Sequence, residues 1–582
     1  MRSLVSPWCF IALLLAVMAL LMMGAMQEES ATMDEPVNLA AGYLSWRGNP
    51  HRFNPEHPPL GQMLAALPLV LLDVNVPDFL KQLGELRLGA PQARPWKGWE
   101  TGRAEQYYPS GRSSWYYWPY WEAGIFGQEL LYGGWNDPET LLWACRSMQV
   151  GLTVLTGWVI AFWLRKTAGM RAAVLGAAMW VFNPIALAYG HLTVTDISVT
   201  FAMTLAIWAC CVFLEQPSWR TALWTGGASG LALTMKFSAV LLVPIFVVLA
   251  AAFLVCHRNA LEESLRFWKW LPLVAVTTWS VVLLVYAPHW TPAPAISAAD
   301  AERIGVPSWF QALRPVLIPP DFFKGIAMQA AHAAHGHEAF LCGEWRSKGW
   351  WYYFPLALVW KLPIPLLLLT ALGLGLWVGR AKQCSFAESG PWMAAAVYFG
   401  FSMTSTINIG VRYLLPMLPL LAVGAAPQLA RLSGKWRVGL WGVCAWLAVV
   451  TALAYPFYIE YFNELGGGTR YGYRRLVDSN YDWGQDAKRL RDWLAERGNP
   501  PIYLRFFGSG KAIQYYGIRY EAASPEKVRS AQRGWLVISA SALMKPEWRW
   551  LDEQRQPLAR IGRTLFVYDL GAASPSPPPP RQ

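Results

Sequence analysis

The chain has 582 residues, 54% of them hydrophobic and only 15% charged, with 34 Trp and a net charge of +12. Ordinary soluble domains are roughly 25% charged, so the composition excludes an ordinary soluble enzyme and points to a membrane protein. The positive charge does not signal a nucleic-acid partner, because Lys and Arg sit in short connectors between apolar runs and not in a stripe with stacking aromatics.

A membrane helix needs about 20 apolar residues. The first such run is 8–24, with Arg2 before it and Glu28 and Glu29 after it. A cleaved signal peptide is the rival reading, but the small-residue cleavage pattern is poor, and the run reads as a retained anchor with a cytoplasmic N-terminus. Further runs follow at 141–164, 172–189, 197–214, 222–235, 237–255, 271–287, 352–378, 392–409, 413–429 and 438–458. Lys236 would be costly in lipid, so two helices are expected to meet there near the outer surface. Arg165, Lys166, Arg171, Arg220, Arg258, Arg266, Lys269, Arg380, Lys382, Arg431, Lys435 and Arg437 all fall on the side that the positive-inside rule assigns to the cytoplasm. The expectation is a polytopic α-helical membrane protein of about 11 transmembrane helices, with its C-terminus outside.

This topology gives a membrane domain over 1–459 with periplasmic loops at 26–140 and 289–351, a small periplasmic α/β domain at 460–570, and a disordered Pro-rich tail at 571–582. Strand character is expected at 502–507, 535–539 and 564–568. Asp482 with Gln485 reads as a helix start, and Asp478, Asp482 and Asp486 read as a cap and a solvated helix face. The eight Cys show no paired spacing, so neither a disulfide framework nor a zinc motif is indicated. Large outer loops put the chemistry on the periplasmic face, where ATP and nucleotide-sugars are absent and a lipid-linked donor is the natural energy source.

Five groups of residues can carry that chemistry. Asp34 and Glu35 follow the first span, where a carboxylate can deprotonate an attacking hydroxyl; the alternative is that Asp34 caps a short helix. His57, in the rigid turn 54–59, either orients a carboxylate or is structural. His191 and Asp196 lie at the outer end of the third span, where an Asp is functional, a helix cap, or both. Lys236 and Arg412 supply cations for a carrier phosphate; snorkelling to head groups is the other reading. His332, His335 and His337 have spacing that can take a transition metal, although a polar loop surface is the commoner explanation and no HExxH geometry is present. Glu344 and Lys348 are placed to touch carrier or sugar. The aromatic runs 115–121 and 350–353 fit interface belts.

In order along the chain, Asp34-Glu35, the 54–60 segment Asn-Pro-Glu-His-Pro-Pro-Leu, the 191–196 segment His-Leu-Thr-Val-Thr-Asp, the 233–237 segment Leu-Thr-Met-Lys-Phe, the 349–355 segment Gly-Trp-Trp-Tyr-Tyr-Phe-Pro and the 408–416 segment Asn-Ile-Gly-Val-Arg-Tyr-Leu-Leu-Pro resemble bacterial GT-C-fold glycosyltransferases of the protein O-mannosyltransferase and lipid A aminoarabinose transferase superfamily. The segments 461–467 and 478–485 resemble one bacterial subgroup of it. The resemblance implies a glycosyltransferase of the bacterial inner membrane that makes an inverting transfer from a polyprenyl-phosphate sugar to a hydroxyl acceptor on protein, lipid or glycan. It further implies Asp34 as base with Glu35 beside it, Asp196 orienting a substrate, and Lys236 and Arg412 on the carrier phosphate. His57, His191 and Glu344 are grouped with the donor-binding residues, and a divalent metal is the one cofactor allowed for. The rivals are a transporter or flippase of lipid-linked glycan, which would place its ionisable residues at the midplane on broken helices, and a polymerase or ligase using a diphosphate-linked donor.

Overall fold

The computed structural model describes residues 6–47, 53–77, 114–256, 265–289 and 318–571. Arg2, Arg258, much of both long loops, the tail from 572, and the side chains of Lys382 and of the aromatic run 115–121 lie outside the described residues.

Each expected span coincides with a helix. Seven helices are long and apolar enough to cross a membrane: Pro7–Gln27, Pro138–Thr167, Thr195–Glu215, Phe237–Cys256, Arg266–Tyr286, Val411–Ala430 and Gly434–Ala454. An eighth candidate is the pair Tyr353–Lys361 and Ile364–Gly379, bent by 115° at Pro363, which lacks an N–H and forces the residue before it into extended backbone. The remaining three expected spans are shorter. One is split into Met170–Val181 and Pro184–Tyr189, because the Asn183 side chain caps a new helix at Pro184. Trp219–Met235 ends at Lys236, and Phe386–Ser402 completes the set.

The Phe237–Cys256, Arg266–Tyr286 and Gly434–Ala454 helices are only 28%, 6% and 22% buried, and Val243, Leu284 and Leu453 stand exposed on them. Apolar side chains left outside a helical bundle mark a lipid-facing surface, so the chain is a multi-pass membrane protein. Thr195–Glu215 and Val411–Ala430 are 72% and 83% buried and form the centre of the bundle.

Three helices of the first loop, Glu35–Trp46, Pro59–Leu71 and Ser114–Tyr132, pack at backbone distance. A Cβ on Gly42 would come within 2.0 Å of the Gln62 carbonyl, and one on Gly127 within 1.9 Å of the Pro36 carbonyl. Glycine permits this approach, and it fixes the start of the 35–46 helix.

The C-terminal sheet has the order β4-β3-β5-β7-β6, with β3 (Ile502–Arg505) parallel to β4 (Tyr520–Ala522) and β5 (Trp535–Ser539). Strand β7 (Leu565–Asp569) runs antiparallel to β5 and to β6 (Ala559–Ile561). The three expected strands are thus β3, β5 and β7. The helix expected to start at Asp482 runs through Leu490 and Leu494 but begins at Ala487. Asp482 does not cap it. Its Oδ2 accepts the Ser541 N–H at 2.8 Å, so a tertiary contact takes the carboxylate and delays the helix. Asp482 and Asp486 are fully buried, not on a solvated face.

The segment before that helix is stapled to the membrane helices. Lys361 Nζ donates to the carbonyls of Ile459 (2.7 Å) and Asn480 (2.8 Å). Asn463 Nδ2 donates to the Val359 and Leu362 carbonyls at the bend.

Candidate active site

Residues 28–34 leave the first helix and run along 483–485: Ser30 N–H donates to the Gln485 carbonyl at 2.9 Å and Met33 N–H to the Trp483 carbonyl at 3.0 Å. This carries the chain to Asp34 and Glu35 at the head of the 35–46 helix. Asp34 makes no capping hydrogen bond. Its Oδ2 instead accepts from Arg412 Nη2 at 3.1 Å, and its side chain keeps 26% exposure.

Arg412 is shared. Its Nη1 lies 3.3 Å from Asp196 Oδ2, and Lys236 Nζ lies 2.6 Å from Asp196 Oδ1. The line Asp34–Arg412–Asp196–Lys236 therefore joins four helix ends. Asp196 sits in the first turn of the 195–215 helix, where a negative charge is favoured. Lys236 occupies the extended break after Met235. Arg412 lies in the tight turn Val411–Met417 that opens the 418–430 helix. The Arg412 guanidinium is 4.3 Å from the Trp483 ring centroid and 5.2 Å from that of Tyr413, and Lys236 Nζ is 4.9 Å from the Tyr413 centroid. Aromatic faces attract cations and shield them from water.

Glu35 departs from its expected place beside Asp34 in the chemistry. Its two oxygens accept from Arg146 at 2.9 and 2.7 Å, from the Thr193 N–H and hydroxyl at 3.0 Å each, and from the Thr32 N–H and hydroxyl at 2.8 and 3.1 Å. No acceptor site is left for a substrate proton. Burial alone would raise its pKa, but Arg146 and the amides of Thr193 and Thr32 outweigh it and hold the group down to about 2. Arg146 also donates to the carbonyls of Met26, Glu29 and Ser30. Sequence reasoning missed it; a single Arg within the apolar 141–164 run is the signal that could have found it.

Two further expected residues take other partners. His191 is buried, with Nδ1 2.8 Å from the Leu187 carbonyl and Nε2 2.9 Å from Glu29 Oε2. Glu344 is exposed on β2 (Glu344–Arg346), which pairs with β1 (Ala339–Leu341), and its carboxylate takes Arg346 at 3.1 Å.

His57 is brought to the cluster. Burial and the Lys236 charge push its pKa down to about 4, so it stands neutral at neutral pH. Beside it, Glu56 Oε1 is 2.5 Å from His332 Nδ1, and His332 Nε2 is 3.1 Å from His337 Nδ1. His335 is exposed at the end of the Pro320–His335 helix. Among the described residues, no group of three or more His, Cys, Asp or Glu is arranged to hold a metal ion. The expected histidine set is split instead between one carboxylate contact, one ring contact and one exposed ring. Asp478, in left-handed backbone at φ 58°, is pushed up to about 6 by burial, with Arg412 lowering and Asp34 raising it. It too was missed, since a local helix reading explained its spacing.

The arrangement can bind an anion with two cations held on aromatic faces, beside a carboxylate that remains partly open to solvent. Residues 139–291 match the family profile described as dolichyl-phosphate-mannose-protein mannosyltransferase. The fold is similar to that of ArnT from Cupriavidus metallidurans bound to undecaprenyl phosphate, at 13% identity and a TM-score of 0.50, covering 97% of this chain and 99% of that one. The oligosaccharyltransferase AglB from Archaeoglobus fulgidus, in complex with an inhibitory peptide and a dolichol-phosphate, aligns at 14% identity and a TM-score of 0.48 over 94% of this chain and 72% of that one. No curated protein sequence matches the chain.

Proposed function

We propose that the chain is a GT-C-fold glycosyltransferase of the protein mannosyltransferase and ArnT type, as the family profile over 139–291 and the fold likeness to ArnT support, and that it transfers a sugar, with inversion, from a polyprenyl-phosphate carrier to an acceptor hydroxyl. The observation that carries the reading is the single Arg412 shared between Asp34 and Asp196, with Lys236 on the second carboxylate.

In this reading the carrier phosphate docks on Arg412 and Lys236. The phosphate competes with Asp34 for the guanidinium N–H groups, so donor binding frees the carboxylate that must act as base. The acceptor oxygen attacks the anomeric carbon, its proton passes to Asp34, and the bond from that carbon to the phosphate oxygen breaks. The negative charge that develops on the leaving phosphate is met by two preplaced cations, so no strong general acid is needed. Asp196 keeps Lys236 and Arg412 apart and aimed. Neutral His57 offers a ring nitrogen to the sugar or acceptor without adding charge. Glu35 acts at one remove, through the fixed course of the 28–35 segment. The ArnT structure holds undecaprenyl phosphate, and a polyprenyl phosphate is the carrier assigned here. The basic connectors support a site on the periplasmic face of a bacterial inner membrane.

Mass spectrometry of membrane lipids tests this in cells lacking the protein, complemented with wild type or Asp34→Asn. A polyprenyl-monophosphate sugar is expected to accumulate in the null and Asp34→Asn cells and to fall with wild type. In purified form, Asp34→Asn is expected to lose transfer by about 10²–10⁴-fold with an unchanged melting temperature. No change in any carrier-linked sugar would remove the transferase reading and favour a transporter; a diphosphate-linked species would point to a polymerase or ligase.

A further inference from the structure

The C-terminal sheet unit has no part in the reaction just described, yet its contacts converge on Arg412. Trp483 is buried beneath the Arg412 guanidinium at 4.3 Å, and Tyr189 meets Trp483 edge-on with ring centroids 6.3 Å apart. The guanidinium donates to Asp196 and Asp34 through its two terminal nitrogens, while its Nε has no hydrogen-bond partner among the described residues. Its plane is therefore set by two carboxylates and two rings, of which Trp483 is the nearer at 4.3 Å against 5.2 Å for Tyr413. Loss of the Trp483 ring would remove the closer support and loosen the tilt about the line joining the carboxylates.

The backbone that carries Arg412 is tied to the same segment. The Val411 N–H donates to Asn480 Oδ1 at 2.9 Å, the Ser479 hydroxyl to the Ile409 carbonyl at 2.7 Å, and the Tyr189 hydroxyl to the Ser479 carbonyl at 2.6 Å. The segment is clamped in turn by the sheet unit. Ser541 follows β5, and its Oγ accepts the Asp478 N–H at 3.1 Å while its N–H donates to Asp482 Oδ2. Thr564, just before β7, donates its N–H and hydroxyl to Asp486 Oδ2 at 3.2 and 2.7 Å. The Ala540 N–H joins the two clamps by donating to the Thr564 carbonyl at 2.8 Å.

We infer that the C-terminal sheet unit is part of the donor site: through Ser541 and Thr564 it clamps residues 478–486, and Trp483 is the positioning residue that orients Arg412 toward the carrier phosphate. Trp483 itself makes no bond to substrate. The inference rests on the carrier-phosphate reading for its consequence, but the clamp is a physical coupling that can be measured without it.

The test uses the full chain in lipid nanodiscs, a polyprenyl monophosphate as the probe, and the variants Trp483→Leu, Trp483→Phe and Ser541→Ala. Trp483→Leu is expected to weaken retention of the probe by about tenfold, the size of a desolvated cation–aromatic contact, and Trp483→Phe to restore most of it. Ser541→Ala, which keeps the N–H bond to Asp482 Oδ2 and removes the hydroxyl contacts to the Asp478 N–H and the Asp482 carbonyl, is expected to raise deuterium uptake in the peptide spanning 407–417 and to weaken retention in the same direction. Melting temperatures of Trp483→Phe and Ser541→Ala should stay near wild type, so the test does not depend on Trp483→Leu folding. Equal retention by wild type and Trp483→Leu, no rescue by Phe, or unchanged exchange at 407–417 in Ser541→Ala would each overturn the proposal. If wild type itself retains no polyprenyl monophosphate, the phosphate reading falls, and the exchange measurement still decides whether the clamp acts on Arg412.

Discussion

Asp34 and Glu35 are neighbours in the chain, but each belongs to a different arginine cluster. Around Glu35 the donors match the acceptors: Arg146, Thr32 and Thr193 fill both carboxylate oxygens, and the Arg146 side chain is otherwise spent on three backbone carbonyls. Around Asp34 one guanidinium is divided between two carboxylates, at 3.1 and 3.3 Å, and Asp34 stays partly open to water. A saturated buried ion pair locks backbone in place and has nothing left to offer a ligand. A shared cation can be redistributed when a new anion arrives. The two clusters thus differ in exposure, Glu35 being fully buried and Asp34 26% exposed, and in how many hydrogen-bonding positions are already occupied.

The sharpest way to break this comparison is to remove each arginine in turn. Arg146→Met strands the fully buried Glu35 carboxylate, and a loss of about 3–5 kcal/mol is expected, read as a large fall in detergent melting temperature. Adding Glu35→Gln to Arg146→Met should recover part of it. Arg412→Met should melt much closer to wild type, because Asp34 reaches solvent and Asp196 keeps Lys236, while transfer is lost. Equal melting losses for the two arginine variants would show that both clusters are structural. Next in size, Lys236→Met should raise the KM for the donor by about 10- to 100-fold, the range of one charged hydrogen bond, with a smaller effect on kcat.

A pH series separates Glu35 from the interface at 460–486. Folded Glu35 stays ionised down to about 2, against an ordinary 4.5. The unfolded chain therefore binds more protons between these values. The stability from Glu35, about 3 kcal/mol by linkage, is present above pH 4.5 and is lost as pH falls toward 2. Asp482 is pushed the other way, up to about 7, by burial that its contact with Ser541 does not offset, and burial raises Glu460 as well. Their contribution is full below pH 4 and declines as pH rises through about 7. Melting temperature should therefore climb modestly from pH 7.5 to 5 and drop below pH 4. Glu35→Gln should flatten the acid limb, and Asp482→Asn the neutral one.

Spans, strands and most of the Arg412 cluster were legible in the sequence, because each has a local cause. An apolar run must be buried in lipid or protein whatever surrounds it, Pro and Asn183 set helix starts at short range, and Lys236 and Arg412 stand out as charges within apolar runs. The separate fates of Asp34 and Glu35 were not legible, since no local pattern says which of two adjacent carboxylates meets Arg146 from 111 residues away. The same holds for His191, drawn to Glu29, for Glu344, left on an exposed hairpin, and for Asp482, taken from its expected cap by Ser541. By itself the sequence determined a multi-pass chain and singled out Asp34, Asp196, Lys236 and Arg412 as charges at the ends of apolar spans. Only the tertiary structure decided which carboxylate is saturated, which is shared, and that Trp483 from the far end of the chain lies beneath Arg412, because hydrogen-bond saturation and ring stacking depend on groups that meet only after the chain has folded.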